Sequence, residues 1–387
     1  MLLRHHGWAA GEKKARSELS DIFRCHGEIY RREHRLPASH LKVMRAVEVC
    51  RTKELGGHLK QCDTCGFEHP TYNSCRNRHC PKCQSMAKAK WLKKQTAELL
   101  PTGYFHLVFT LPHELNRLIL ANKKMLLSLL FKAVSETLLE FGCTRLGGRV
   151  GIIAVLHTWD QTLKDHFHLH CLIPAGALSF DQSRWVKARK NFLFPVKALS
   201  LVFRGKFLDL LKHASDQGKL KLTGEVEALH KKNWVVYAKK PFGSPQTVLD
   251  YLGRYTHRVA LSNDRILSVQ NGQVTLSYRD RRDGDRLKSM TLDAQEFIRR
   301  FLLHVLPEGF MRIRHFGFLS NRAKKHALPQ CRKLLGLNPA LPDIPKKSPH
   351  ELMLELTGVD LSRCPSCRQG TMRIVAELPK ISRWDSS

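Results

Sequence analysis

The stretch DHFHLHCLIP, Asp165 to Pro174, decides how this chain is read, because His166, His168 and His170 alternate in it with Phe167, Leu169 and Cys171. A β-strand sends successive side chains to opposite faces, so this spelling puts three imidazoles on one face and an apolar row on the other. Two histidines two residues apart on a strand supply half of a site for a divalent ion, with coordination positions left open. Taken alone, the pattern also fits a strand with a merely exposed polar face. The neighbouring segments bear on that choice.

Upstream, GIIAVLHTW (Gly151–Trp159) reads as a second strand, joined to the first by the short DQTLKD turn. Two strands joined so closely form an antiparallel pair, which brings His157, Trp159 and Gln161 near the histidines. YFHLVFTLP (Tyr104–Pro112) reads as a further buried strand, followed by a long helix to about residue 141. Downstream, Ser244-Pro245 opens a helix that runs to about Arg258, with a small polar cap and proline in the first turn. Tyr251 and Tyr255 share a face of it, with Arg254 and Arg258 each three residues after a tyrosine.

A protonated phenol is a poor nucleophile, with an ordinary pKa of about 10, so a reacting tyrosine needs a polarised phosphate beside it. A divalent ion on the histidine strand would polarise a non-bridging oxygen, and the arginines would offset negative charge. These parts compose one reaction: Tyr251 or Tyr255 attacks a DNA phosphate, forms a phosphotyrosine and releases a 3′-hydroxyl. The covalent link keeps the bond energy, so a later strand can be joined without ATP.

Composition supports a polyanionic partner. Against 34 Asp+Glu stand 65 Lys+Arg, a formal charge of +31, far beyond what solubility requires. Nucleic acid is the first expectation; a membrane surface is disfavoured because the basic residues run along the whole length and no apolar run of about 18 residues occurs. The amino terminus lacks the apolar middle of a secretory signal, so an intracellular, cytoplasmic protein is expected.

Twelve cysteines in a reduced compartment point to metal rather than disulfides. Cys62-x2-Cys65 and Cys80-x2-Cys83, 14 residues apart, have the spacing of two zinc knuckles closing one tetrahedral thiolate site, with Cys75, His79, His58 and His69 near enough to replace a ligand or build a second site. Arg76 and Arg78 decorate this knuckle (58–86) and would meet DNA phosphates. Cys364-x2-Cys367 is half of another such site, to be completed by Cys331 or a histidine, or simply two free thiols.

The remaining chain supplies the frame. Residues 17–55 and 85–101 read as helices, and ALSLVFRGKFLDLLKHA as an amphipathic one. RWVKARKNFLFP is read the same way, with Phe192, Phe194 and Phe203 expected in the core. NWVVYAKKPF is a strand, RILSVQNGQVTLSYRD a hairpin turning at Asn271-Gly272, LKSMTLD a strand, AQEFIRRFLLHVLP a helix, and PALPDIPKKSPHE a linker. The fold class expected is α+β, a mostly antiparallel sheet flanked by helices. Three regions are expected: a helical and zinc-binding domain over 1–100, a catalytic domain over 101–325 and a basic, proline-rich tail over 326–387.

HFHLHCLIPAG resembles the His-hydrophobic-His (HUH) motif of single-strand endonucleases. With NSCRNRHCPKCQ, LVFTLP and YLGRYTHRVALSN, it resembles the two-tyrosine rolling-circle transposases of the insertion-sequence ninety-one type and their common-region relatives, over roughly residues 20 to 325. The resemblance implies His168 and His170 as ligands of a catalytic Mg²⁺ or Mn²⁺, Tyr251 and Tyr255 as nucleophiles, a zinc-binding domain ahead of the catalytic one, and transposition through single-stranded DNA. A third metal ligand is expected from Gln161, His166, His157 or His257, with Gln161 preferred on the inferred hairpin. A plasmid replication initiator or relaxase shares this chemistry, although no GxxxxGK[ST] phosphate loop accompanies it here. A non-enzymatic zinc-dependent DNA-binding regulator, with the histidines and tyrosines as packing residues, is the other competitor.

Overall fold

Alternation in the histidine stretch becomes a central strand of a five-stranded sheet. In the computed structural model, which describes residues 17–222, 225–242, 247–248, 253, 261–280, 283–345 and 347–381, strands β3 (Tyr104–Thr110), β5 (Gly151–Trp159), β6 (Asp165–Pro174), β9 (Val236–Phe242) and β13 (Ile313–Gly317) lie in the order β13-β5-β6-β3-β9. Every strand pairing among the described residues is antiparallel. The chain is thus α+β, with several antiparallel sheets flanked by helices.

The apolar face of this sheet is the main core. Phe167, Leu169, Cys171 and Ile173 of β6 are fully buried beside Phe105, Leu107 and Phe109 of β3 and Ile152, Ala154 and Leu156 of β5. Helices α5 (Lys123–Leu146) and α6 (Val196–Asp216) cover that face. The leucine-rich α5 stops where Gly147, at φ 62°, takes the left-handed conformation and its N–H closes on Cys143 O. Burial of these side chains commits that face to packing, so the histidines fall on the other.

A second core joins the amino-terminal helices α1 (Leu19–Glu33) and α2 (Ala38–Glu48) to a three-stranded sheet β10 (Ile266–Gln270), β11 (Gln273–Asp280) and β12 (Arg286–Asp293) and to the helix Ala294–Leu303. Phe23 and Phe301 meet edge to face at 5.4 Å. The β10–β11 turn is the expected Asn271-Gly272, both residues at positive φ. A third sheet pairs β1 (Gly57–Cys62) with β2 (Glu68–Tyr72) on one side and, on the other, with β14 (Met372–Leu378) from the far end of the chain.

Two local readings need correction. Residues Trp185–Lys187 form a short strand, β8, paired with β7 (Gly176–Ser179), where a helix was expected. Phe194 and Phe203 are core residues as expected, but Phe192 is exposed, because the chain there turns outward, bridging Arg189 to Phe192, before α6 begins. A helix, Pro349–Thr357, starts in the last residues of the expected linker, begun by a capping box of Ser348 and Glu351. No helix among the described residues is long and apolar enough to cross a membrane.

Candidate metal centres

The strand register assembles three imidazoles. His157 of β5 pairs with His168 of β6, and Val155 with His170, so His157, His168 and His170 occupy neighbouring positions on the face opposite the core. All three are buried, and one ring nitrogen from each lies within 4.8 Å of the others. His168 Nε2 and His170 Nε2 are 3.1 Å apart. Two nitrogens bound at about 2.1 Å and at a right angle would stand roughly 3.0 Å apart, so the pair suits one ion.

Hydrogen bonds behind the rings set which nitrogens face the centre. His168 Nδ1 donates to His166 O at 2.8 Å, which makes Nε2 the unprotonated nitrogen, turned toward His170. His170 Nδ1 is 2.9 Å from Nε2 of His106, which β3 carries on the same sheet face. The buried His106 was not singled out from sequence; its signal was its even-numbered place in the strand pairing with β6.

Of the residues expected to complete the centre, His157 has a ring nitrogen within 4.8 Å of those of His168 and His170. Gln161 lies in the turn beyond β5, where its carbonyl accepts from Arg265. His166 is exposed at the strand's start, and its ring sits beside His168 while its carbonyl orients that ring. His257 lies outside the described residues, as do Tyr251, Tyr255, Arg254 and Arg258.

Beyond the rings, His157 stacks on Trp159, and Trp159 touches His304. Burial pushes the His304 imidazole down to about 4. As a neutral ring it donates from Nε2 to Leu163 O and accepts from Thr158 Oγ1. The two residues flanking Thr158 therefore sit on a neutral, hydrogen-bonded support.

The cysteines form two clusters instead of one. Cys80 and Cys83 join Cys50 and Cys75, while Cys62 and Cys65 join Cys364 and Cys367. This corrects the single site expected from Cys62, Cys65, Cys80 and Cys83: β1 and β2 form a hairpin that carries its knuckle away from the start of α3 (Pro81–Glu98), which holds Cys80 and Cys83. In the first cluster, Cys50 and Cys80 are 3.6 Å apart, Cys50 and Cys83 3.7 Å, and Cys75 and Cys83 3.5 Å. The edge of a tetrahedral zinc thiolate is roughly 3.8 Å, so this donor set fits zinc. Cys50 closes α2 and belongs to no CxxC pair, which is why spacing did not reveal it.

The knuckle arginines are placed differently from one another. Arg76 is exposed, at φ 53°. Arg78 is partly buried and lines a small cavity with His79, Trp159, His304 and Arg312, where burial lowers its pKa. The cysteine cluster therefore abuts the hairpin that carries His157.

Comparison with known proteins agrees with these features. Residues 151–327 match a family model described as "Putative transposase", and residues 22–111 match one described as "Transposase zinc-binding domain". The "Putative transposase y4qJ" of Sinorhizobium fredii is 46% identical over 393 residues, spanning 96% of this chain and 98% of that protein. The "Transposase for insertion sequence element IS801" of Pseudomonas savastanoi pv. phaseolicola is 29% identical over 334 residues, 82% of this chain and 79% of that protein.

Proposed function

Because the chain belongs to the insertion-sequence transposases of the ninety-one type with an amino-terminal zinc-binding domain, we propose that it cuts and rejoins single-stranded DNA at element ends, through a 5′-phosphotyrosine intermediate, in rolling-circle transposition. The observation that carries this reading is the convergence of His157, His168 and His170 on one point of the sheet.

His168 and His170, with His157 as third ligand, would hold the divalent ion. When bound, the ion polarises the scissile phosphate and offsets its charge. Three imidazoles are softer donors than the carboxylates and waters that suit Mg²⁺, so Mn²⁺ is the better match of the two. A phenol oxygen of Tyr251 or Tyr255 attacks phosphorus, the bond to the 3′-oxygen breaks, and that oxygen leaves as a hydroxyl with one proton. Attack by another 3′-hydroxyl reverses these steps and frees the tyrosine. Arg254, Arg258 and Arg76 are assigned to the DNA backbone.

Support for the tyrosines comes from residues around them in sequence. Val248 is fully buried in a cluster with Ile153 and Leu172, and those two pair on the sheet face that carries the histidines. Gly253 lies against Leu92 of α3. Cys50, Cys75, Cys80 and Cys83 would hold zinc, in the same packed cluster as Trp159 of β5. The reading divides the chain into a helical and zinc-binding region 1–100, a catalytic region 101–325 and a tail 326–387, acting on nucleoid DNA in the cytoplasm.

The test incubates the protein with labelled single-stranded element ends and Mn²⁺. A covalent, protease-sensitive protein–DNA adduct is expected, and it disappears in the Tyr251→Phe/Tyr255→Phe double variant. Persistence of the adduct in that variant would rule out these nucleophiles, and absence of any adduct from the parent would leave a DNA-binding regulator. Cleavage only at a plasmid origin would favour a replication initiator.

A further inference from the structure

We propose that Cys62, Cys65, Cys364 and Cys367 form a second structural zinc site, which fastens the carboxyl-terminal segment to the amino-terminal hairpin. The zinc-binding family match ends at residue 111, so it accounts for the whole first cluster but for only half of this one.

The sulfur geometry is that of a thiolate tetrahedron. Cys62 Sγ and Cys367 Sγ are 3.7 Å apart, as are Cys65 Sγ and Cys364 Sγ. Zinc–sulfur bonds of about 2.3 Å put neighbouring sulfurs roughly 3.8 Å apart, whereas a disulfide would need about 2.05 Å.

Both halves are closed by similar backbone hydrogen bonds. In the first, Gly66 N–H donates to Cys62 O and Cys62 N–H to Phe67 O. In the second, Arg368 N–H donates to Cys364 O and Cys364 N–H to Gly370 O. The residue after the second cysteine is left-handed in each, Gly66 at φ 69° and Arg368 at φ 58°. Thr64 N–H points at Cys62 Sγ (3.4 Å) and Gly370 N–H at Cys367 Sγ (3.3 Å), as suits thiolate charge. Gly370 also has to lack a side chain: a Cβ there would lie 2.4 Å from Cys62 Sγ.

Packing alone does not account for this arrangement. Strand β14 exposes five of its seven residues and β2 four of its five. The apolar cluster here consists of Cys62, Cys364 and Met372, with Phe67 and Cys367 against it. So small a core cannot offset the cost of ordering three strands, and small folds of this kind are usually held by a metal.

The experiment counts metal in the full chain carrying His168→Ala/His170→Ala, so that imidazole-bound ion does not contribute. Inductively coupled plasma mass spectrometry should find two zinc ions per chain, and one after adding Cys364→Ser/Cys367→Ser. One ion before those substitutions, or two after, overturns the proposal. If the serine variant does not fold, cobalt(II) titration of the otherwise unaltered chain decides: thiolate-to-cobalt absorption should saturate at two equivalents, and saturation at one overturns it. DNA cleavage enters neither measurement, so the result stands apart from the transposase reading.

Discussion

His106 Nε2 lies 2.9 Å from His170 Nδ1, with the two rings within 9° of parallel. For His170 to offer Nε2 to an ion, its Nδ1 must hold the proton and His106 must accept it. His106 is therefore a positioning residue, and such partners are worth about 10–100-fold in metal affinity. His106→Phe should weaken Mn²⁺ binding by that factor in an electron paramagnetic resonance titration, while His106→Gln, which can still accept, should restore most of it. Equal affinity in all three proteins would remove the role.

His157 and Gln161 make opposite predictions. His157→Ala should abolish Mn²⁺ binding and DNA cleavage, a larger loss than the roughly 10–100-fold expected of a supporting residue. Gln161→Ala should change cleavage little, since residue 161 sits in the turn and only its backbone carbonyl is engaged, by Arg265. The reverse result would return the third ligand to the turn.

Gly317 ends β13 at φ 63°, and a Cβ there would lie 1.7 Å from Val150 O. A left-handed residue with a side chain and a backbone collision together cost about 2–5 kcal/mol. Gly317→Ala should lower the denaturation midpoint of the full chain accordingly. An unchanged midpoint would mean that the β13 edge is not held against β5 as described.

Burial, with Lys324 second, pushes the His315 imidazole down to about 4, and burial with Lys123 does the same to His40. An unfolded imidazole titrates near 6.5. Below that pH the unfolded chain binds protons that the folded chain refuses, so stability is full above about 6.5 and falls as pH drops toward 4. Each ring contributes at most about 1.4 kcal/mol per pH unit in that window, less where water reaches it. Denaturant midpoints measured from pH 7 to 4.5 should decline, and His315→Gln should make the decline shallower. A slope unaffected by the substitution would assign the decline to other groups.

Strict alternation made the central hairpin legible: the spans 151–159 and 165–174 expected as strands are the strands observed. Alternation works there because one face of β6 is wholly apolar, so a register slip would turn the imidazoles into the core under α5 and α6. It failed over 184–195, where Trp, Phe and basic residues fit a helix or an edge strand equally well. The cysteine pairing failed for a different reason. Spacing rules see neighbours in sequence, whereas Cys62 meets Cys367 across 305 residues and Cys50 stands alone at a helix end. The helix at 349–357 did carry a signal in Ser348-Pro349 and Glu351, which the surrounding prolines obscured.

Strand β14 closes a sheet whose first members, β1 and β2, are synthesised some 300 residues earlier. At roughly 5–20 residues per second, the emerging hairpin waits on the order of 15–60 s for its partner strand. Completion of that sheet thus waits until translation has passed β14. Copies of the gene cut short by a frameshift or an early stop would leave β1 an open edge, exposed to pairing with other chains and to proteolysis.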